Sequence, residues 1–173
     1  MSTSEKTDTL ALTYGALLAR LWLAARAIQT GIEKFATTTE IERLTLVDGK
    51  PNDYGLMETV TVKAYALDAY KGIPDGLKAT FSDQPMIPGF MLPIYNAVLG
   101  PALIILGLTI LLGIASRTSL LALGLLYISL TWGLILLGEP GNSGVAWLGT
   151  HMLLIIAALA LHRHNCFCIL KKW

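Results

Sequence analysis

The stretch RLWLAARAIQTGIEKF, residues 20–35, places Arg20, Arg26, Gln29, Glu33 and Lys34 in a run otherwise apolar enough to enter a bilayer. A guanidinium in hydrocarbon is costly unless paired or hydrated, so such residues are expected to face other helices, water or a ligand. At 100° per residue, Arg20, Ala24, Ala27, Gly31 and Lys34 fall in a stripe about 80° wide. The small residues between the two charges mark a helix-packing edge, because they let backbones approach. The helical rise puts Arg20 about 21 Å from Lys34, so Arg20 is expected near mid-membrane and Lys34 at the boundary, where a lysine can snorkel. Arg26 points about 120° away from the stripe, toward Gln29.

No acid lies in the other apolar runs to answer Arg20. The expected acceptors are Asn96, Tyr127, Ser129, Thr131, carbonyls freed near Pro93 or Pro101, or a bound anionic or quinone-like ligand. A second set gathers at the end of the runs where Lys34 lies. Gln29 and Lys34 close the first run, Tyr95 and Asn96 open the second, Glu139 follows the third, and His151 is about one turn into the fourth. A few convergent polar groups in apolar surroundings define a small-molecule site. Arg20, Gln29, Asn96 and His151 are therefore expected to bind a quinone or an anion, with Arg26, Lys34, Tyr95 and Glu139 in support.

His151 near Trp147 suits a quinone headgroup, a haem iron or an interfacial hydrogen bond. Haem is disfavoured, because His162 and His164 belong near the opposite face and leave His151 without a second axial partner. Cys166 and Cys168 lack the remaining ligands of a four-ligand set; they read as two reduced thiols, and no metal site is expected. No nucleophile–base–acid set or glycine-rich phosphate loop appears, so no catalytic residue is assigned.

These residues must be held by elements built for lipid. Of 173 residues, 54% are hydrophobic and 14% charged, and the mean hydropathy is +0.59. So few charges cannot cover a soluble surface of this size. A net charge of +1 with no basic face argues against nucleic acid. Apolar runs at about 10–34, 90–115, 118–138 and 146–162 match the roughly 20 residues that cross a bilayer. The N-terminal MSTSEKTDT has no basic n-region or cleavage motif, so the first run is expected to stay as an anchor, and no glycine follows Met1 for myristoylation.

The expected fold is an all-α membrane protein, one integral domain of four transmembrane helices in an antiparallel bundle, with a long extracytoplasmic insert over 36–89. Within the insert, LMETVTVKAYALDAYKG spaces Met57, Val60, Ala64 and Leu67 as in a helix ending at Gly72, with a strand through TVTV as the alternative. Lys6, Arg117, Arg163, Lys171 and Lys172 fall on one side, which predicts cytoplasmic termini in the plasma (inner) membrane of a prokaryote.

The arrangement Arg20, Gly31, Lys34, Phe35, then Pro93, Gly107, Gly113 and Arg117 (LGLTILLGIASR), with four spans and a long first loop, resembles the DoxX-like family of small prokaryotic membrane proteins. The likeness covers nearly the whole chain, and its long insert is similar to the DoxD-like members. Gln29 stands two positions before Gly31, where the family often has His before the glycine. The resemblance implies a membrane subunit of a redox complex, with a quinone as cofactor, thiosulfate as one possible reductant and a second protein subunit as partner. The competing expectation is a non-catalytic scaffold whose Arg20 stripe docks another protein.

Overall fold

A computed structural model describes residues 3–138 and 143–169. The elements in chain order are α1 (Thr3–Glu33), β1 (Ala36–Leu44), β2 (Leu46–Val47), β3 (Lys50–Pro51), β4 (Met57–Tyr65), α2 (Asp75–Ser82), α3 (Met91–Leu112), α4 (Ser116–Leu136) and α5 (Ser143–Ala160). Among the described residues four helices are long and apolar enough to cross a membrane: α1 over Asp8–Glu33, α3, α4 and α5. They describe a multi-pass membrane protein.

The small-residue stripe of α1 is a packing edge. Leu23, Ala24 and Ala27 are fully buried and Arg20 nearly so. Gly31 lies against Gly100 and Ile104 of α3, while Gly107 lies against Ala24 and Ile28. The two helices therefore run in opposite senses and touch through backbone, the close approach that drives helix association in lipid. Leu103, Leu120, Leu123, Tyr127, Ile155 and Ala158 continue the core through α3, α4 and α5. On α4, Leu121, Leu125, Ile128, Trp132 and Ile135 are exposed at helical spacing, away from the core.

α3 stops at Gly113, whose φ of 67° puts it in the left-handed region. The Ile114 N–H then bonds the Thr109 carbonyl at 2.8 Å, which closes the helix end and leaves a tight turn into α4.

The chain is mostly helical, as an all-α membrane protein should be, but between α1 and α3 the expected helix through TVTV gives way to its alternative, a strand. Residues 57–65 are a strand, β4, paired antiparallel with β1 from Ala36↔Tyr65 to Leu44↔Met57. The β-branched residues decide it. In a strand, Val60, Val62 and Ala64 share a half-buried face with Glu58, while Thr59, Thr61 and Lys63 face out. ATTTEI on β1 offers a second β-branched run to pair with, and a helix would have crowded all of them against the preceding turn. At the tip, Asn52 is buried and makes four hydrogen bonds: to the carbonyls of Thr45 and Leu56, and from the amides of Tyr54 and Leu56. At the base, Glu33 at the end of α1 pairs with Lys63 and accepts from the Tyr65 hydroxyl.

Tyr70 stitches this segment to α3. Pro101 has no N–H, so the Ala97 carbonyl loses its usual partner four residues on. The Tyr70 hydroxyl donates to that carbonyl at 3.2 Å and accepts the Gly100 amide at 3.1 Å. Tyr70→Phe should strand the carbonyl toward lipid and lower stability by about 1–2 kcal/mol, read as a lower melting temperature in detergent. An unchanged melt would mean the hydroxyl is dispensable there.

Candidate functional site

The polar residues of the spans form three separate constellations. The first is a cavity of about 500 Å³ between α2, the start of α3 and the end of α4. The N-terminal turns of α3 bring Tyr95, and α4 brings Ser129, whose hydroxyl accepts a hydrogen bond from Tyr95. Lys34, one residue beyond α1, completes the polar lining, and the other lining side chains are aliphatic or aromatic, among them Leu77, Phe81 and Trp132. α2 reaches this position because the chain before it is anchored: the Ile73 amide bonds the Asn96 side-chain oxygen at 3.0 Å. A Cβ on Gly72 would come within 2.1 Å of the Asn96 carbonyl, so only glycine lets the chain pass that close.

The Lys34 ammonium has no hydrogen-bond or ion-pair partner among the described residues. Partial burial pushes its pKa below the ordinary lysine value, since desolvation disfavours the charged form. The cavity size is in the range of small-molecule sites. It offers a cation, a hydroxyl pair and a long apolar wall, which suits a ligand with a polar head and a greasy body.

The second constellation lies between α1, α4 and α5. His151 is buried, and its Nδ1 meets the Trp147 carbonyl at 2.8 Å. Because a carbonyl can only accept, Nδ1 is the donor in that bond. Among the described residues, Nε2 is buried with no partner, as is Nε of Arg26. The His151 ring stacks on Trp147 at 4.2 Å and meets Tyr127 edge-on at 6.0 Å. The Arg26 guanidinium lies 4.0 Å over the Trp147 ring and donates to Gln29. An aromatic face and a neighbouring amide thus give Arg26 what an acid would otherwise supply.

The third constellation is Arg20. Its Nη1 lies 2.6 Å from Asn165 Oδ1, 2.8 Å from the Cys166 carbonyl and 3.1 Å from Cys168 Sγ, and its Nη2 lies 3.2 Å from the Phe167 carbonyl. One expectation changes here. The acceptors come from the tail rather than from Asn96, Tyr127, Ser129 or Thr131. The tail also ties Arg20 to the α3–α4 turn, bonding Ser116 through Asn165 and the Leu112 carbonyl through Ile169.

The expected grouping of Arg20, Gln29, Asn96 and His151 is therefore not one place. Gln29 joins His151 through Arg26 and Trp147, Asn96 anchors the chain before α2, and Arg20 holds the tail. Of the supporting residues, Lys34 and Tyr95 line the cavity, Arg26 sits with His151, and Glu139 lies outside the described residues. Ser129 and Phe81 were not singled out as lining residues; Ser129 appeared only as an acceptor for Arg20. No local sequence signal reveals a cavity whose walls come from distant segments. Among the described residues, no group of three His, Cys, Asp or Glu side chains is placed to hold a metal.

Comparison with protein-family models, with curated proteins and with solved structures found no match.

Proposed function

We propose that this chain is the membrane subunit of a quinone-dependent redox complex, as its resemblance to the DoxX-like family implies, and that the quinone head sits in the cavity beside Lys34 and Tyr95. The observation that carries this reading is an unpaired lysine in an otherwise greasy cavity that also holds a hydroxyl pair. A quinone carbonyl accepts hydrogen bonds: Lys34 is a donor, and the Tyr95 hydroxyl becomes one by turning from Ser129 to the carbonyl; the aliphatic and aromatic walls suit its isoprenoid tail. The quinone, when bound, supplies the electron acceptor. The chain's own residues bind the head, orient it and shield it from water. In this reading the helices form an antiparallel bundle in a prokaryotic inner membrane, with cytoplasmic termini and the β-hairpin outside. A second subunit delivers electrons, with thiosulfate as the first reductant to try.

Mass analysis of lipids extracted with the purified protein should find quinone at near-stoichiometric amounts. Lys34→Met and Tyr95→Phe should each weaken its retention about tenfold, the loss of one hydrogen bond of roughly 1.4 kcal/mol. Extracts free of quinone, or variants that hold it as tightly as the parent chain, would remove the assignment.

One observation favours the scaffold reading instead. The β1–β4 hairpin is largely exposed, including Ile41, Leu44, Leu46, Val47, Tyr54 and Met57 toward its tip. If deleting residues 40–60 abolishes co-purification of a partner while the cavity variants change nothing, the scaffold reading stands.

A further inference from the structure

Cys166 and Cys168 are two residues apart on a loop wrapped around one buried guanidinium. Arg20 is 3% exposed, and no carboxylate faces it among the described residues. Its Nη1 takes both the Cys166 carbonyl and the Cys168 sulfur as acceptors, and its Nε is buried with no partner among the described residues. Neutral carbonyls and an amide oxygen solvate this charge but do not balance it. Among the described residues, the group within its reach that can carry a negative charge is the thiol of Cys168, 3.1 Å away.

The loop is built to keep the sulfur there. Phe167, between the two cysteines, adopts a left-handed φ of 55°, which turns successive carbonyls toward Arg20. Cys168 is pressed against the end of α3, where a Cβ on Gly113 would lie 2.7 Å from its Cα. Both thiols are free and only partly buried, so a small reagent can reach them. A cation held by the pair would meet the guanidinium, so the site suits nucleophilic sulfur chemistry rather than metal binding. Arg20 Nη1 is aimed at the Cys168 sulfur, where it can steady the sulfur as it attacks, the thiolate being the attacking form of a cysteine.

We infer that Cys166 and Cys168 form a redox-active dithiol, with Cys168 as the attacking sulfur, Cys166 as the resolving sulfur, Arg20 as the positioning residue, and a low-molecular-weight disulfide as the oxidant. The Cys168 thiolate attacks one sulfur of the disulfide; a Cys168–S bond forms, the S–S bond breaks, and the first thiolate leaves. The Cys166 thiol gives up its proton and attacks Cys168 Sγ; the intramolecular disulfide forms and the second thiolate leaves. The two protons lost by the cysteines neutralise the two departing thiolates. The dithiol is oxidised by two electrons and the small disulfide is reduced to two thiols. This chemistry is independent of quinone binding.

The test treats the full-length protein in detergent with glutathione disulfide and follows it by intact mass and by iodoacetamide labelling. The expected product is a monomer lighter by two hydrogens, with neither cysteine open to labelling. Cys166→Ser leaves Arg20 and the fold in place and should trap a stable glutathione adduct on Cys168. Cys168→Ser should form its adduct at Cys166 at least about tenfold more slowly. In the reduced protein, Arg20→Gln should slow labelling of Cys168 while leaving Cys166 as fast or faster. A loop that had merely loosened would speed both. Mixed adducts that never resolve in the parent protein, oxidation only between chains, or Cys166 reacting before Cys168 would each overturn the assignment.

Discussion

Gly107→Leu should abolish the folded helix bundle, leaving no monodisperse species on size-exclusion in mild detergent. The position tolerates no side chain because its neighbours are backbone. A Cβ there would lie 2.6 Å from Ile28 Cγ1 and 3.0 Å from both the Ala24 carbonyl oxygen and the Ile28 amide nitrogen. The Ile28 side chain can swing aside, but the α1 backbone can move only by separating the two helices. Separation would uncover Leu23, Ala24, Ala27 and Leu103, all fully buried. Overpacking alone costs about 1–3 kcal/mol. Lost close packing adds to that, and in lipid no water-driven term restores the contact. Gly149→Leu is the control: no atom lies within 4 Å of a Cβ there, so that variant should behave as the parent. If Gly107→Leu elutes and melts like the parent, the α1–α3 contact is not what holds the bundle.

Arg20→Met should release the tail. The substitution keeps an unbranched apolar stem but strands Asn165 Oδ1 and the carbonyls of Cys166 and Phe167. Each buried acceptor left without a donor costs about 1–3 kcal/mol, less where water can reach it. A total on the order of 3 kcal/mol is expected, a fall in melting temperature of roughly 10 °C for a chain of this size. Trypsin should also cut after Arg163, an exposed residue of the turn His162–His164, at much lower doses than in the parent. Arg20→Lys should fall between the two, since one ammonium cannot reach as many acceptors as a planar fork. Unchanged melting together with unchanged proteolysis would show that the tail is held by Asn165–Ser116 and Ile169–Leu112 alone.

The apolar runs and the buried edge of α1 were legible because both follow from side-chain type and helical period. Burial of Arg20 was legible for the same reason: it shares a stripe with Ala24 and Ala27. What answers it was not. Three of its acceptors are two carbonyls and an amide oxygen of one short loop, and backbone groups leave no trace in the residue types. Its place beside the α3–α4 turn was equally hidden, because that depends on how far the tail folds back along α1.

The segment from Leu56 to Gly72 fits helical and strand periods at once. Met57, Val60, Ala64 and Leu67 fit the first, and Val60, Val62 and Ala64 fit the second. Pairing with Thr37–Ile41, many residues earlier, settled the matter, and no local window contains both halves. The cavity was illegible for a similar reason, since Lys34, Tyr95 and Ser129 come from three elements. His151 was visible as a polar residue in an apolar run, but its stack on Trp147 under Arg26 depends on how α1 and α5 meet.

The Tyr70 hydroxyl on the Ala97 carbonyl has a consequence for biogenesis. A bare carbonyl in hydrocarbon costs several kcal/mol, and Pro101 guarantees one in α3 for as long as Tyr70 is elsewhere. α3 therefore enters the bilayer with an unmet demand that only the folded segment before it can satisfy. The chain from Ala36 to Gly89 has to pair β1 with β4 and fold back onto α3 before that demand is met. The settling of α3 thus depends on a tyrosine in a loop.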